Sequence, residues 1–351
     1  MTDTKYTPGS LIADMKIGWN LGNTLDAPNG ETTWHNPVTT KEMIDKIKEL
    51  GFNTVRVPVS WHNHVGGHPV YCIDTPWLDR VQQVVDYVID NGMYCILNSH
   101  HDDRMFIPTY ERLEYGKAYL TSLWSQLSER FKDYGQKLLF EAMNEPRELK
   151  TPYEWHLDFN VEHCHELADC INIYNQTFVN VVRSSEHQNN KERFLMVPSY
   201  DAAPLHAIPD AFVMPVDPSD RLVLSIHAYT PYNLCLNMNS DVDILTEETK
   251  KDIDWFMINI YKKFVSNNIP VVIGETNILN KNNPETRYEW CKYFFSLARQ
   301  YGMMCCLWDT NGGPMKMLNR RTLTLYEDGE ALLKGMFDGL KEDVKGVLEL
   351  K

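Results

Sequence analysis

The sequence predicts a single-domain α/β chain folded as a (β/α)8 TIM barrel, and three observations carry that expectation. Eight short apolar, β-branched runs alternate with longer amphipathic stretches along 351 residues. Several of these runs are apolar on successive residues instead of alternate ones, the pattern of parallel strands covered on both faces. An open doubly wound sheet would normally show a glycine-rich phosphate turn after its first strand. Here Gly18-Trp19-Asn20-Leu21-Gly22-Asn23 carries two glycines in the wrong surroundings. With right-handed crossovers, eight such units favour a closed barrel.

Taken in order, the strands are expected at Lys16–Trp19, Thr54–Val57, Tyr94–Asn98, Leu138–Glu141, Phe194–Val197, Leu222–Ile226, Val271–Ile273 and Met304–Leu307. Helical patterns lie between them near Thr40–Leu50, Trp77–Asn91, Tyr110–Tyr134, Asp158–Arg183, Glu247–Asn267 and Pro284–Tyr301. In the first, Lys41, Lys46 and Lys48 alternate with Glu42, Asp45 and Glu49, a solvated helix face. Trp77 and Trp124 sit at helical spacings among apolar neighbours and read as packing. The connections after Val197 and Leu307 read as irregular before any helix begins. No Pro/Ser/Gly-rich linker or charge block divides residues 1–351, so one domain is expected.

Composition narrows the function. Lys plus Arg number 34 against 48 Asp plus Glu, a net charge of −14 that repels phosphate backbones and argues against nucleic acid. No apolar run approaches the roughly 20 residues that span a bilayer, so no membrane partner is expected. Met1–Ser10 lacks a charged segment followed by an apolar core. That fits a secreted protein whose leader has been removed, and also a cytoplasmic one. Eight cysteines in a chain of this length do not make a disulfide scaffold, and Cys95, Cys305 and Cys306 lie in apolar strand-like runs as small hydrophobes. The chain is expected to be a monomer.

In a barrel the active site lies at the C-terminal ends of the strands. Those positions hold Asn20, Arg56, His100, His101, Asn144, Glu145, His227, Tyr229, Glu275 and Trp308. A polar residue at nearly every strand exit is not what core packing needs. Pro146 cannot continue a ladder, so the chain turns after Asn144-Glu145 and leaves Glu145 at the strand mouth. Val271-Val272-Ile273-Gly274-Glu275 is a buried strand ending in a carboxylate. Each glutamate alone would pass for a structural one, but two inward carboxylates beside a cationic Arg56 are the minimum kit for glycoside hydrolysis. One must stay protonated to donate to the leaving oxygen. The other must stay ionised to attack the anomeric carbon, and an arginine with a tyrosine hydroxyl would keep it so.

The strings GWNLGNTLDA (Gly18–Ala27), GFNTVRVPVSW (Gly51–Trp61), LNSHHD (Leu97–Asp102), FEAMNEP (Phe140–Pro146), SIHAY (Ser225–Tyr229), VIGET (Val272–Thr276) and Leu307-Trp308 resemble glycoside hydrolase family 5. They are most similar to its bacterial endoglucanase branch, which includes members active on xyloglucan and mixed-linkage glucan. The match runs in order from about Lys16 to Trp308. The resemblance implies a retaining endo-β-1,4-glucanase without cofactor, acting on β-glucan polysaccharides. It implies Glu145 as general acid/base, Glu275 as nucleophile, and carboxyl groups about 5 to 5.5 Å apart. Asn144 would bind the 2-hydroxyl of the sugar being cleaved. Arg56 and Tyr229 would position Glu275, and His227 would sit near Glu145. His100 and His101 would bind hydroxyls on the non-reducing side, and Trp308 would form a stacking platform. Thr276-Asn277 stands where many relatives have Phe-Gly, which alters the neighbouring subsite. A cis peptide bond is expected between Trp308 and Asp309.

Flat faces on Trp34, Trp61, Trp155, Tyr232 and Trp308 suit the C–H faces of pyranose rings. His64 is a candidate loop contact, and Asn20 and Asp26 candidates for a distal sugar subsite. His100-His101-Asp102 could be read as a metal site, but adjacent strand-end residues diverge and no matching acid–histidine cluster accompanies them. No metal is expected. The same scaffold would also serve a mannanase, a xylanase or a sugar-binding barrel without catalysis.

Overall fold

The computed structural model describes residues 8–344. Residues 1–7 and 345–351, and with them most of the Met1–Ser10 stretch, lie outside the described residues. Eight parallel strands pair in chain order and the last returns to the first, closing a barrel. They are β1 (Gly18–Leu21), β2 (Thr54–Val57), β3 (Tyr94–Asn98), β4 (Leu138–Glu141), β5 (Leu195–Pro198), β6 (Leu222–His227), β7 (Val271–Thr276) and β8 (Met303–Asp309).

Helices Lys41–Glu49, Thr75–Asp90, Tyr110–Arg130, Glu162–Arg183, Glu247–Lys263 and Pro284–Gln300 fill the expected crossovers. The first begins where the Thr40 side chain accepts a hydrogen bond from the Met43 amide. After β5 come two short turns, Tyr200–Ala202 and Pro204–Ala207. After β8, a small hairpin of Leu318–Asn319 with Thr324–Leu325 precedes the Glu327–Gly339 helix. A helix at Pro8–Met15, beyond the expected elements, precedes β1. Its Leu11, Ile12 and Met15 pack with Tyr94, Ile96, Leu139, Phe194, Met196, Val223, Val272, Met304 and Cys306 in one cluster separate from the outer core. Those strand residues follow a period of two and point into the barrel, so the helix plugs its floor. The intervening residues, such as Cys95, Leu97, Phe140, Val197, Leu224, Ile273 and Leu307, join the larger core under the helices.

The same alternation, continued up the barrel, changes chemistry. Above Thr54 comes Arg56, above Ile96 Asn98, above Leu139 Glu141, above Val223 Ser225, and above Cys306 Trp308. Register sets Asn20 beside Arg56 and Trp308, and Asn98 beside Glu141. Strict alternation would aim Gly274 inward and Glu275 at the helices. The pairing register of β7 shifts between Ile273 and Thr276, and that of β6 between Ile226 and His227. A bulge of this kind re-aims a side chain, and here it leaves Glu275 opposite His227. Gly274 belongs to the device: a Cβ there would meet His227 Nε2 and Ser225 Oγ at 3.3 Å.

One expectation fails in this part of the chain. Among the described residues the cis peptide bonds are His68–Pro69 and Thr230–Pro231, and the Trp308–Asp309 bond is trans. β8 continues through that bond, pairing Asp309 with Leu21. The Asp309 carboxylate is held in place by Trp19 Nε1 and by the amides of Met317 and Leu318.

Candidate active site

The site is organised around Arg56, which is fully buried. Its Nε donates to Glu141 Oε2 at 2.7 Å, and Nη1 donates to Glu275 Oε1 at 2.7 Å and to Asn20 Oδ1 at 3.0 Å. Nη2 donates to Asn144 Oδ1 at 2.8 Å and lies 3.4 Å from His227 Nε2. One planar cation on β2 thus contacts side chains from β1, β4 and the turn after it, β6 and β7. Burial opposes its charge, but Glu141 and Glu275 outweigh that and hold its pKa above the ordinary arginine value. Glu141 is completed by a hydrogen bond from Ser225 Oγ at 2.5 Å.

Glu275 accepts a second hydrogen bond at Oε2, from Tyr229 Oη at 2.9 Å. Burial, with the charge of Glu275 next to it, raises the Tyr229 phenol well above its usual value and keeps it a donor. Glu145 has a different setting. Its Oε1 is 2.8 Å from His227 Nδ1, and its side chain is 21% exposed against 6% for Glu275. Burial would lower the His227 pKa, yet the Glu275 charge and the bond to Glu145 hold it above an ordinary histidine. Burial would raise the Glu145 carboxyl, yet the His227 hydrogen bond and charge, with help from Arg147, bring it below. The shared hydrogen bond therefore favours the proton on His227 over Glu145. Glu145, His227 and Glu275 each place a ligand-type atom within 4.8 Å of the others, so the two carboxylates are close neighbours.

His100 lies 3.8 Å from Glu275 Oε1 and parallel to Trp308, ring centroids 5.5 Å apart. Its Nδ1 faces the Asn98 amide group at 3.2 Å. Burial, reinforced by His101 and Arg56, holds its pKa well below the usual value, so the ring is neutral. His101 continues the strip, with Trp34 tilted 5.6 Å beyond it. Asn144, His100, His101 and Trp308 therefore share the neighbourhood of Glu275.

Other expectations need correcting. Trp61 has no exposed surface, because the chain after β2 folds back over the barrel top and the indole donates to the Asn98 carbonyl. Asn20 is equally buried and donates to the Gly274 carbonyl at 2.8 Å while accepting from Arg56; it braces the site instead of touching a sugar. Arg56, buried behind the carboxylates, has the same bracing position. Asp26 is enclosed and accepts the amides of Asn23 and Thr24, and burial lifts its pKa to about 7. His64 stacks on Trp77 at 3.8 Å as packing. Glu141 was missed as a site residue, although a carboxylate closing the buried run LLFE is a signal that a buried cation faces it.

Two groups have the spacing to gather around a cation: Glu145, His227 and Glu275, and Asp26, His100 and His101. The first already holds the Arg56 guanidinium at 2.7 Å, which opposes a second positive charge. In the second, the Asp26 oxygens are taken by backbone amides.

Beside Glu145 an open cleft of about 800 Å³ is lined by Glu145, His227, Tyr229, Tyr232, Trp155 and Trp255, among others. A buried carboxylate gripped by arginine, a second one facing a cleft, and aromatic rings on either side suit a ring-shaped, hydroxyl-rich substrate.

Known proteins share this arrangement of sequence and fold. The model of the cellulase family (glycosyl hydrolase family 5) matches residues 20–313. The cellulase/esterase CelE of Acetivibrio thermocellus is 43% identical over 333 residues, which cover 93% of this chain and 40% of that protein. The chain therefore spans two-fifths of that relative's length. Endoglucanase B of Clostridium cellulovorans is 40% identical over 306 residues, covering 86% of this chain and 68% of that protein. Among solved structures, a family 5 lichenase from Caldicellulosiruptor sp. F32 has a TM-score of 0.91 at 43% identity, with 95% of this chain and 96% of that one covered. A broad-specificity endoglucanase from Ruminococcus champanellensis with bound cellotriose has a TM-score of 0.89 at 42% identity, with 96% and 99% covered. With a family match across most of its length and relatives at 40% identity or more, the chain belongs to glycosyl hydrolase family 5.

Proposed function

We propose that the protein is a retaining endo-β-1,4-glucanase acting on β-glucans, with Glu275 as nucleophile and Glu145 as acid/base. The observation that carries this reading is the contrast between two neighbouring carboxylates. Glu275 has both oxygens hydrogen-bonded by Arg56 and Tyr229, and Glu145 faces the cleft with a proton-bearing histidine behind it. Ligand-type oxygens within 4.8 Å of one another fit the short carboxyl spacing of a retaining enzyme, about 5–5.5 Å, better than the roughly 6.5–9.5 Å of an inverting one. The lichenase and endoglucanase relatives, one holding cellotriose, support a β-glucan as substrate.

The electrostatics suggest how proton transfer follows attack. The Glu275 charge is the main influence holding the proton on His227 against burial. As Glu275 bonds to the anomeric carbon that charge is consumed. The imidazole then holds its proton less tightly and passes it through Glu145 to the leaving oxygen. Water next attacks the glycosyl ester, giving its proton back to Glu145, and Glu275 leaves as a carboxylate. Asn144, fixed by Arg56, would meet the 2-hydroxyl; His100, His101 and Trp308 would hold the sugar on the Glu275 side.

The test is viscosity loss and reducing-end release on carboxymethyl-cellulose, barley β-glucan, xyloglucan, xylan and mannan. Rapid viscosity loss on the glucans is expected. Activity on xylan or mannan alone would keep the chemistry and replace the substrate, and inactivity on all five would overturn the reading. No described helix is long and apolar enough to cross a membrane. A polymeric substrate that cannot enter a cell favours secretion.

The pair also predicts a pH effect. Because His227 holds its proton above its ordinary value, near 6.5, the alkaline limb of kcat/KM should lie above that value. In His227→Asn the proton rests on Glu145 alone, and the limb should move to lower pH. An unmoved limb would show that His227 takes no part in storing the proton.

A further inference from the structure

On the reading just proposed, Glu145 gives a proton to the leaving oxygen and takes one back from water. His227 attends to one of its oxygens, Oε1. The other, Oε2, lies 3.7 Å from Nη1 of Arg147, a cation with no part in the bond-making steps. The same Nη1 lies 3.6 Å from Asp103 Oδ1, and Arg147 Nε lies 3.6 Å from Glu154 Oε1. These side chains are largely withdrawn from water, with 12% of Arg147 and 16% of Asp103 exposed.

Arg147 differs from Arg56 in how it presents its charge. Arg56 is committed to two carboxylates at 2.7 Å. Arg147 instead makes its short hydrogen bond to a neutral group, the Glu145 carbonyl at 2.7 Å, and rests its guanidinium 4.2 Å over the Trp155 ring. Its Nε has no hydrogen-bond partner. Held in this way, the cation stands almost equally far from Asp103 and Glu145 and is bound tightly to neither. Asp103 is fixed as well. It follows the enclosed Asp102, which accepts the amides of Trp61 and His62 at 2.9 and 2.8 Å, and its own carbonyl accepts from the Phe106 amide.

Burial lifts the Asp103 carboxyl to about 7; Arg147 opposes the rise, and Glu145 and Asp102 add to it. The neighbouring groups are otherwise occupied or neutral. Burial keeps His100 and His101, at the β3 exit, below the ordinary histidine value and therefore uncharged. Burial also raises the phenols of Tyr200 after β5 and Tyr229 after β6, which stay protonated. Asp201 is raised too, but is bonded to His206 at 2.9 Å. His62 is bonded to Asp102, and Glu275 is paired with Arg56. Glu154 meets a different nitrogen of Arg147, so among the described residues Asp103 and Glu145 are the acids that share Nη1.

We propose that Arg147 and Asp103 are positioning residues for the acid/base proton: one guanidinium charge is divided between Asp103 and Glu145, and the division sets how readily Glu145 releases and regains its proton. With Asp103 ionised, part of the Arg147 charge is answered there, and the Glu145–His227 pair holds its proton more firmly. With Asp103 neutral, the full charge acts on Glu145 and favours its carboxylate. Rising pH ionises Asp103, so the acid is retained to higher pH than it would be beside Arg147 alone.

The pH dependence of kcat/KM on cellotetraose tests this. Asp103→Asn removes the charge at nearly constant shape and should move the alkaline limb to lower pH by about half a unit or more, the effect of one charge about 4 Å away in a water-rich surrounding. Arg147→Met should move the limb to higher pH, and Arg147→Lys, which keeps a charge, should bring it back towards that of the unaltered enzyme. In an Arg147→Met background Asp103→Asn should shift it little, because a buried aspartate without its cation is already neutral. A purely structural role would instead lower the rate at every pH and leave the limb in place. Limbs unmoved in both single variants, with cooperative melting intact, would overturn the proposal and leave the glucanase reading standing; so would shifts of the same sign in both. A dinitrophenyl cellobioside, whose leaving group needs no proton, separates the two readings. The unaltered enzyme should lose its alkaline limb on that substrate, whereas an identical limb on both substrates would overturn Glu145 as the acid and this proposal with it.

Discussion

Glu275→Ala is expected to stop turnover while leaving a folded barrel. On the proposed roles this removes the covalent step itself, a loss on the order of 10⁴-fold or more. The barrel survives because Arg56 keeps Glu141, Asn20 and Asn144 as partners, so the guanidinium is not left buried without a counter-charge. The space vacated by the carboxylate then offers a direct test. Azide added to Glu275→Ala with an activated aryl glycoside should attack from the empty face and give a glycosyl azide of inverted configuration. In Glu145→Ala the ester on Glu275 still forms when the leaving group needs no protonation, and azide attacking that ester should give the retained configuration. Near-native polymer hydrolysis by Glu275→Ala, checked against cooperative thermal melting, would remove the double displacement.

Much of this arrangement is legible in the sequence, and the reason is the barrel. Parallel strands buried on both faces announce themselves as apolar runs, and the active site must lie where they end. Glu145, His227 and Tyr229 stand at such exits in the sequence, and in the structure they line one cleft. What could not be read is which way a side chain turns after the strand. Trp61 follows β2 closely enough to reach a ligand, but its indole finds the Asn98 carbonyl and is enclosed. Asn20 lies at an exit yet points inward to Gly274 and Arg56. Glu275 shows the same limit from the other side, because period-two counting places it against the helices. Only a register shift, invisible in the string VVIGET, turns it to the cavity. Glu141 carries no exit signal, because it pairs with Arg56 a layer below the strand mouths. Trp255, on a helix surface, could not be connected with the cleft without the packing of that helix beside the turn after β6.

Arg56→Met is expected to damage stability and catalysis together, which separates it from the glutamate variants. The guanidinium is the shared counter-charge of two buried carboxylates, and neither Ser225 nor Tyr229 brings positive charge to replace it. Breaking a buried ion pair by removing one partner costs about 3–5 kcal/mol, and here one removal strips two partners at once. Methionine has nearly the length of the arginine stem, so the loss is of charge and hydrogen bonds and not of packing. Arg56→Lys separates those two contributions. Its ammonium retains the charge, and should recover part of the stability measured by urea unfolding. It cannot span Glu141, Glu275, Asn20 and Asn144 with a planar fork, so Glu275 and Asn144 lose their common brace and kcat should stay far below that of the unaltered enzyme. A lysine variant with full activity would show that charge alone sets up Glu275. A methionine variant with unaltered unfolding would show that the layer of buried polar groups is held by something other than the cation at its centre.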